Sequence, residues 1–271
     1  MFQQIKQEQL TIYRSGILSG LLGIVHGFSS RAGGCSKEPY QELNMGMSCG
    51  DDLVSVQNNR RVFAAALGIL PEQAVCGQQV HGVHIARVSA GDGGRGFLDV
   101  STAFAETDGL VTDQKGIALM TLYADCVPVL FYEPVRQVIA VTHCGWKGTV
   151  GKIASRMVDV MAEEYQCSRD EIRAVIGPSI SQDAYEVDLP VLERFREAFS
   201  FAEEIILPVD ETHGKVDLWE ANRRQLLEAG LVPEHIEVSG LCTFNNHEIF
   251  FSHRAGGGNT GDADHRRHQL Q

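Results

Sequence analysis

Residues 117–149, IALMTLYADCVPVLFYEPVRQVIAVTHCGWKGT, decide the fold. Three short apolar runs, 117–123, 127–132 and 138–142, follow one another with polar, Gly or Pro residues between them. Runs of this length, rich in β-branched and aromatic side chains, read as buried central strands. After His143 the period changes. Val150, Ile153, Met157, Val160 and Met161 recur on one helical face, which predicts a helix over 149–165 behind Gly145 and Gly148.

Working outward, the same alternation of strand and helix continues on both sides. Residues 24–28 read as a short strand and 31–50, with Gly33, Gly34, Gly46 and Gly50, as an ordered loop. Asp51 and Asp52 can cap a helix carrying Leu53, Val56, Phe63 and Leu67, which Gly68 and Pro71 stop. Residues 75–88 are β-rich. Downstream, 172–176 read as a strand, 189–199 as a helix with Pro190 near its first turn, and Asp217 caps a helix through Glu228. Residues 236–241 and 248–252 read as two more strands. Without a repeat, linker or strict βαβ period, the chain reads as one α/β layered domain over 1–271, a mixed central sheet flanked by helices.

The 271 residues carry 23 Lys and Arg against 35 Asp and Glu, a net charge of −12. That balance argues against a nucleic-acid or membrane-surface binder, because neutralising phosphates needs a concentration of basic side chains. No apolar run reaches the roughly 18 residues of a spanning helix. The start, MFQQIKQEQL, lacks a basic leader with an apolar core, and the odd number of cysteines, 7, forbids complete internal pairing. These features predict a cytoplasmic protein with reduced thiols that acts on a small molecule.

Several familiar motifs fail. Residues 91–96, GDGGRG, satisfy GxGxxG, but 97–108 show no helical face to follow it, so a loop is predicted. There is no GxxxxGK[ST] loop, HExxH pair or CxxC. His265-Arg266-Arg267-His268 reads as a solvated tract.

Three segments each set a soft metal ligand beside a tight turn: Gln79-Val80-His81-Gly82, Ala124-Asp125-Cys126-Val127-Pro128, and 142–149 with His143. Two imidazoles and one thiolate leave a tetrahedral ion one open position, which distinguishes a catalytic zinc from a closed structural one. Asp125 would orient a ligand or exchange protons. Cys76, Cys167 and Cys242 read as core filler, and spacing alone places Cys126 slightly nearer to that reading too. His84 reads as a solvated neighbour of His81. Trp146 either packs the turn or stacks on a planar base. The helix start near Thr149, with Lys147 beside it, offers an anion its free N–H groups.

QQVHG, TDGLVT, ADCVPVLF, VTHCGWKGTV, IGPSI with AYEVD, DLWEANRRQLLEAG and SGLCT, in this order, resemble the bacterial YfiH-like family, as does the N-terminal GG...PY..LNMG..CGDD....NRR stretch. That family is known both as a multicopper polyphenol oxidoreductase (laccase) and as a purine nucleoside phosphorylase. The resemblance implies a single α/β domain with His81, Cys126 and His143 holding zinc, copper being the alternative. Asp125, Cys126 and Lys147 are the residues expected to carry catalysis. Arg31, Asn44 and Arg60 fall in matching motifs as substrate or phosphate contacts. Where family members commonly carry Arg, this chain has Lys147. After Asn259-Thr260-Gly261 the resemblance implies an Arg and a short apolar strand, whereas Asp262 opens the polar tail DADHRRHQLQ, an atypical end read as flexible.

The leading expectation is a zinc-dependent purine nucleoside enzyme, a monomer or weak homodimer without nucleic-acid or membrane partners. It would phosphorolyse adenosine, inosine, guanosine and methylthioadenosine and deaminate adenosine, with phosphate as co-substrate. The alternatives are copper-dependent phenol oxidation, a metal-free hydrolase of peptidoglycan precursors with Cys126 as nucleophile and His143 as base, and a non-enzymatic binding domain.

Overall fold

Two long central strands, Val127–Glu133 and Val138–Cys144, form an antiparallel hairpin, and their all but continuous burial explains why they read as apolar runs. In the computed structural model, which describes residues 1–257, this hairpin is the middle of a six-stranded sheet. Its order is Ile236–Val238, Arg173–Ile176, Val127–Glu133, Val138–Cys144, Gly109–Thr112, Ile85–Arg87. The outermost pair at each end is parallel and the inner pairs are antiparallel, so the sheet is mixed as expected.

The helices Ile153–Tyr165 and Leu218–Glu228 help to close one face, burying Ile153, Met157, Met161 and Leu226 against Val129, Phe131 and Ala174 of the sheet. The second helix begins where Asp217 accepts a hydrogen bond from the Glu220 backbone N–H at 2.9 Å, as its sequence predicts. The opposite face meets Leu18 and Phe28 at one end. At the other it meets a two-stranded parallel sheet of Ala74–Cys76 and Ala118–Met120. Two three-stranded sheets lie outside this core: Gln3–Gln7, Leu10–Arg14 and Phe28–Ser29, and Glu186–Asp188, His213–Val216 and Ile206–Pro208.

Four expectations need correction. The run 117–123 forms a strand, but outside the central sheet, and Gly109–Thr112 takes that place with all four residues buried. The helix over 149–165 is two helices, Trp146–Val150 and Ile153–Tyr165. The chain bends between them at Gly151, where an added Cβ would lie 2.4 Å from Val83 Cγ1, and Lys152 turns left-handed at φ 60°. Residues 248–252 are turn rather than strand. There the Ile249 and Phe250 N–H groups donate to Asn246 O, and Ile249 O accepts from Arg31 N. Finally, the strand expected at 24–28 is confined to Phe28–Ser29. The 91–96 segment opens no α-helix, in line with the sequence, and the tail from Asp262 onward lies outside the described residues.

His26 couples this fold to pH. It is 9% exposed, and its Nε2 accepts a hydrogen bond from the Ser15 N–H at 2.9 Å. Burial, aided by the Arg14 charge, pushes its pKa down to about 4 from 6.5. The unfolded chain therefore takes up a proton that the native one refuses as pH falls from 6.5 towards 4, and stability is lost across that window. At 1.36 kcal/mol per pH unit the loss is about 3 kcal/mol. His26→Gln, which can still accept from Ser15, should lose about that much less between pH 7 and pH 4 in urea unfolding. An unchanged pH slope would remove His26 as the cause.

Candidate metal centre

The register of the sheet gathers the chemistry at one end. Val127 lies opposite Cys144, Thr142 opposite Gly109, and Gly109 opposite Ile85, so the residues just beyond these pairs, Cys126, His143, Asp108 and His84, come together. The His143 N–H donates to Asp108 O at 2.8 Å and the Asp108 N–H to His84 O at 3.1 Å, extending the ladder past the named strands.

Asp108 organises what the ladder assembles. Its fully buried carboxylate accepts the backbone N–H groups of Val80 at 3.1 Å, His81 at 3.0 Å and Gly82 at 2.8 Å. It also meets Nδ1 of His143 at 2.8 Å. Burial alone pushes this carboxyl up, but His143 and the N–H groups of Gly82 and Val80 outweigh it and hold it below the ordinary range. An ionised carboxylate only accepts, so Nδ1 carries the proton and Nε2 is left with a lone pair for a metal.

The same N–H contacts hold His81 in the left-handed region at φ 61°, a costly conformation for a non-glycine residue. Its ring stands edge-on to His143, centroids 4.5 Å apart at 77°. Gln79 ties this loop to the segment leading to Cys126: its Nε2 donates to Leu122 O and its Oε1 accepts from Leu122 N, both at 2.8 Å. Asp125 then bends the chain at φ 87°. Its two carboxylate oxygens accept from Thr243 Oγ1 and the Arg254 N–H, each at 2.7 Å.

As a result one ligand atom from each of His81, Cys126 and His143 lies within 4.8 Å of the other two. Zinc–nitrogen and zinc–sulfur bonds of about 2.0–2.3 Å set ligand atoms about 3.5 Å apart, so the three fit one ion after drawing in by about 1 Å. Gly145 makes room for them, because a Cβ there would sit 3.0 Å from both Cys126 Sγ and His81 Cδ2.

The three residues line a cavity of about 270 Å³ together with Asn44, Arg60 and Tyr123. Arg60 is buried and donates to Met45 O, Gly96 O and Phe97 O; Asn44 donates to Asp51 at 2.9 Å. The Tyr123 ring lies 5.6 Å from that of His143, its hydroxyl donates to Thr142 O at 3.0 Å, and burial raises its pKa so that it stays protonated. Arg31 and Lys147 are not part of this lining. The Arg31 guanidinium donates to Gln41 O and His247 O, and exposed Lys147 sits 5.7 Å from the Trp146 ring centre. The helix start expected near Thr149 is also displaced: the Thr149 N–H already donates to Gly145 O.

Asp108, Gln79, Tyr123 and Gly145 escaped notice as individual site residues. The readable sign for Asp108 is an acid separated by a single glycine from the apolar pair Leu110-Val111. Asp108→Asn should weaken metal binding about 10- to 100-fold in a competition titration against a chelating dye. Gly145→Ala should weaken it as well, by crowding Cys126 and His81. Unchanged affinity in both variants would contradict this geometry.

The sequence model for multi-copper polyphenol oxidoreductase laccase matches residues 25–264. The chain is 42% identical to the purine nucleoside phosphorylase YlmD of Geobacillus stearothermophilus, over 88% of each chain. It is 34% identical to adenosine deaminase RL5 from an unknown prokaryotic organism, covering 88% of this chain and 91% of that one. The crystal structure of YlmD from Geobacillus stearothermophilus superposes with a TM-score of 0.90 at 39% identity, covering 96% of this chain and 95% of that one. By sequence and by fold, the chain belongs to the multi-copper polyphenol oxidoreductase laccase family, whose members include YlmD and YfiH.

Proposed function

We propose that this protein is a zinc-dependent purine nucleoside enzyme that carries out phosphorolysis of adenosine, inosine, guanosine and methylthioadenosine and deamination of adenosine. The observation that supports it most is the approach of His81, Cys126 and His143 on the wall of a ligand-sized cavity. The names of its relatives, purine nucleoside phosphorylase and adenosine deaminase, give the reaction class.

Zinc held by His81, Cys126 and His143 would supply Lewis acidity beside the cavity. In phosphorolysis a phosphate oxygen bonds to ribose C1′ while the bond from C1′ to the purine breaks, and the purine leaves with the bonding electrons and takes a proton. In deamination water adds at C6 and ammonia departs. In this reading Arg60 and Asn44 would contact substrate from the cavity wall, and Tyr123 would present its aromatic ring. Asp125 acts by holding the bend before Cys126. With its thiolate committed as a ligand, Cys126 is not a nucleophile, which separates this reading from a cysteine hydrolase. Phenol oxidation by several coppers has less support, because the described residues contain one group of His, Cys, Asp or Glu suited to an ion.

Purified protein given adenosine and phosphate should yield adenine and ribose 1-phosphate, and without phosphate it should yield inosine. Cys126→Ala should reduce both by roughly 100-fold or more. Absence of free base, ribose 1-phosphate and inosine from the wild-type reaction would overturn the proposal.

A further inference from the structure

Among the described residues, no Asp or Glu lines the cavity beside His81, Cys126 and His143, although the chain carries a net charge of −12. Arg60 is the one Lys or Arg on its wall. That guanidinium is 3% exposed and has no acid beside it. By contrast Arg169, Arg223 and Arg224, all more exposed, each meet a carboxylate oxygen at 2.8 Å or less.

The donors of Arg60 can be accounted for one by one. A guanidinium has one N–H on Nε and two on each terminal nitrogen. Nε gives its hydrogen to Met45 O at 2.7 Å, and Nη1 gives its pair to Gly96 O at 2.9 Å and Phe97 O at 2.7 Å. Those on Nη2 meet no acceptor among the described residues, yet Nη2 is not sealed inside the protein, and Arg60 lines the cavity. The carbonyls orient the cation without neutralising it. The ionisable groups nearest to it are thiols: Cys76, whose Sγ lies 3.8 Å from Nη1, and Cys49. Burial raises the pKa of both, so they stay neutral.

A buried charge is costly unless a counter-charge accompanies it. The protein provides none here, so the counter-charge comes with a ligand. A neutral nucleoside lacks it, whereas phosphate carries it together with oxygens for both Nη2 hydrogens.

We propose that Arg60 binds the inorganic phosphate of the phosphorolysis, holding it in the cavity through the two Nη2 N–H groups and its uncompensated charge. The role in phosphorolysis rests on the reaction proposed above; the binding rests on Arg60 alone.

The test is calorimetric titration of inorganic phosphate into the full-length protein as purified, without nucleoside. Saturable one-to-one binding is expected, with sulfate competing. Arg60→Gln should weaken it roughly 100-fold or more, and Arg60→Lys, which keeps the charge but loses the planar fork, at least about tenfold. Ser48 is exposed and lines the same cavity with a hydroxyl that no described residue engages, so its replacement leaves the fold intact. Ser48→Glu brings a carboxylate to a wall that has none and should weaken phosphate at least about tenfold, whereas Ser48→Gln, of like size, should change it less than about threefold. That pair decides the matter if the Arg60 variants do not fold. Absence of phosphate binding, binding confined to adenosine 5′-monophosphate, unchanged affinity in Arg60→Gln, or equal loss in both Ser48 variants would overturn the proposal. Phosphate bound through Arg60 by a protein that turns over no purine nucleoside would sink the reaction proposed above and uphold this site.

Discussion

One buried carboxylate holds the site together. Asp108 accepts three successive backbone N–H groups from the His81 loop and one ring N–H from His143, so a single ionised side chain fixes two of the three candidate metal ligands. Burying that charge unpaired would be prohibitive, and its four partners make it favourable. The same contacts balance the left-handed backbone of His81. Removing Asp108 would free the loop and the tautomer together, which is why its effect on affinity should exceed that of an ordinary buried hydrogen bond.

The third residue depends on the sheet. Cys126 precedes the strand whose Val127 faces Cys144, and that hairpin register brings the thiol beside His143. Asp125 and Gln79 then restrain the chain on its two sides, one through Thr243 and Arg254, the other through Leu122. A one-residue slip would turn the sheet's alternating side chains to opposite faces, so packing of Val129 and Phe131 against the helices also guards the candidate metal site.

The central hairpin, the capped helices and the three ligand-bearing turns were legible in the sequence because each is a local pattern: an apolar run, an Asp at a helix start, a His or Cys beside a turn. Strand placement was harder. The run 117–123 looks at least as apolar as Gly109–Thr112, and only tertiary pairing decides which enters the central sheet. The break at Gly151 was hidden because helical periodicity persists across it, while the close approach of Val83 that forces it is a long-range fact. Asp108 and Gly145 were illegible as site residues for a related reason. One acts through a charge contact with residues 26 to 35 positions away, the other through the absence of a side chain. Lys147 and Arg31 show the converse: motif position brought them forward, yet their side chains lie outside the cavity lining.

The proposal that His81, Cys126 and His143 together hold one zinc ion is most directly tested by X-ray absorption at the zinc edge on purified wild-type protein. The account predicts one sulfur at about 2.3 Å and two imidazole nitrogens at about 2.0–2.1 Å, with the remaining position filled by a light atom. A spectrum without a sulfur scatterer, or protein that carries no zinc after purification in zinc-containing medium, would contradict it.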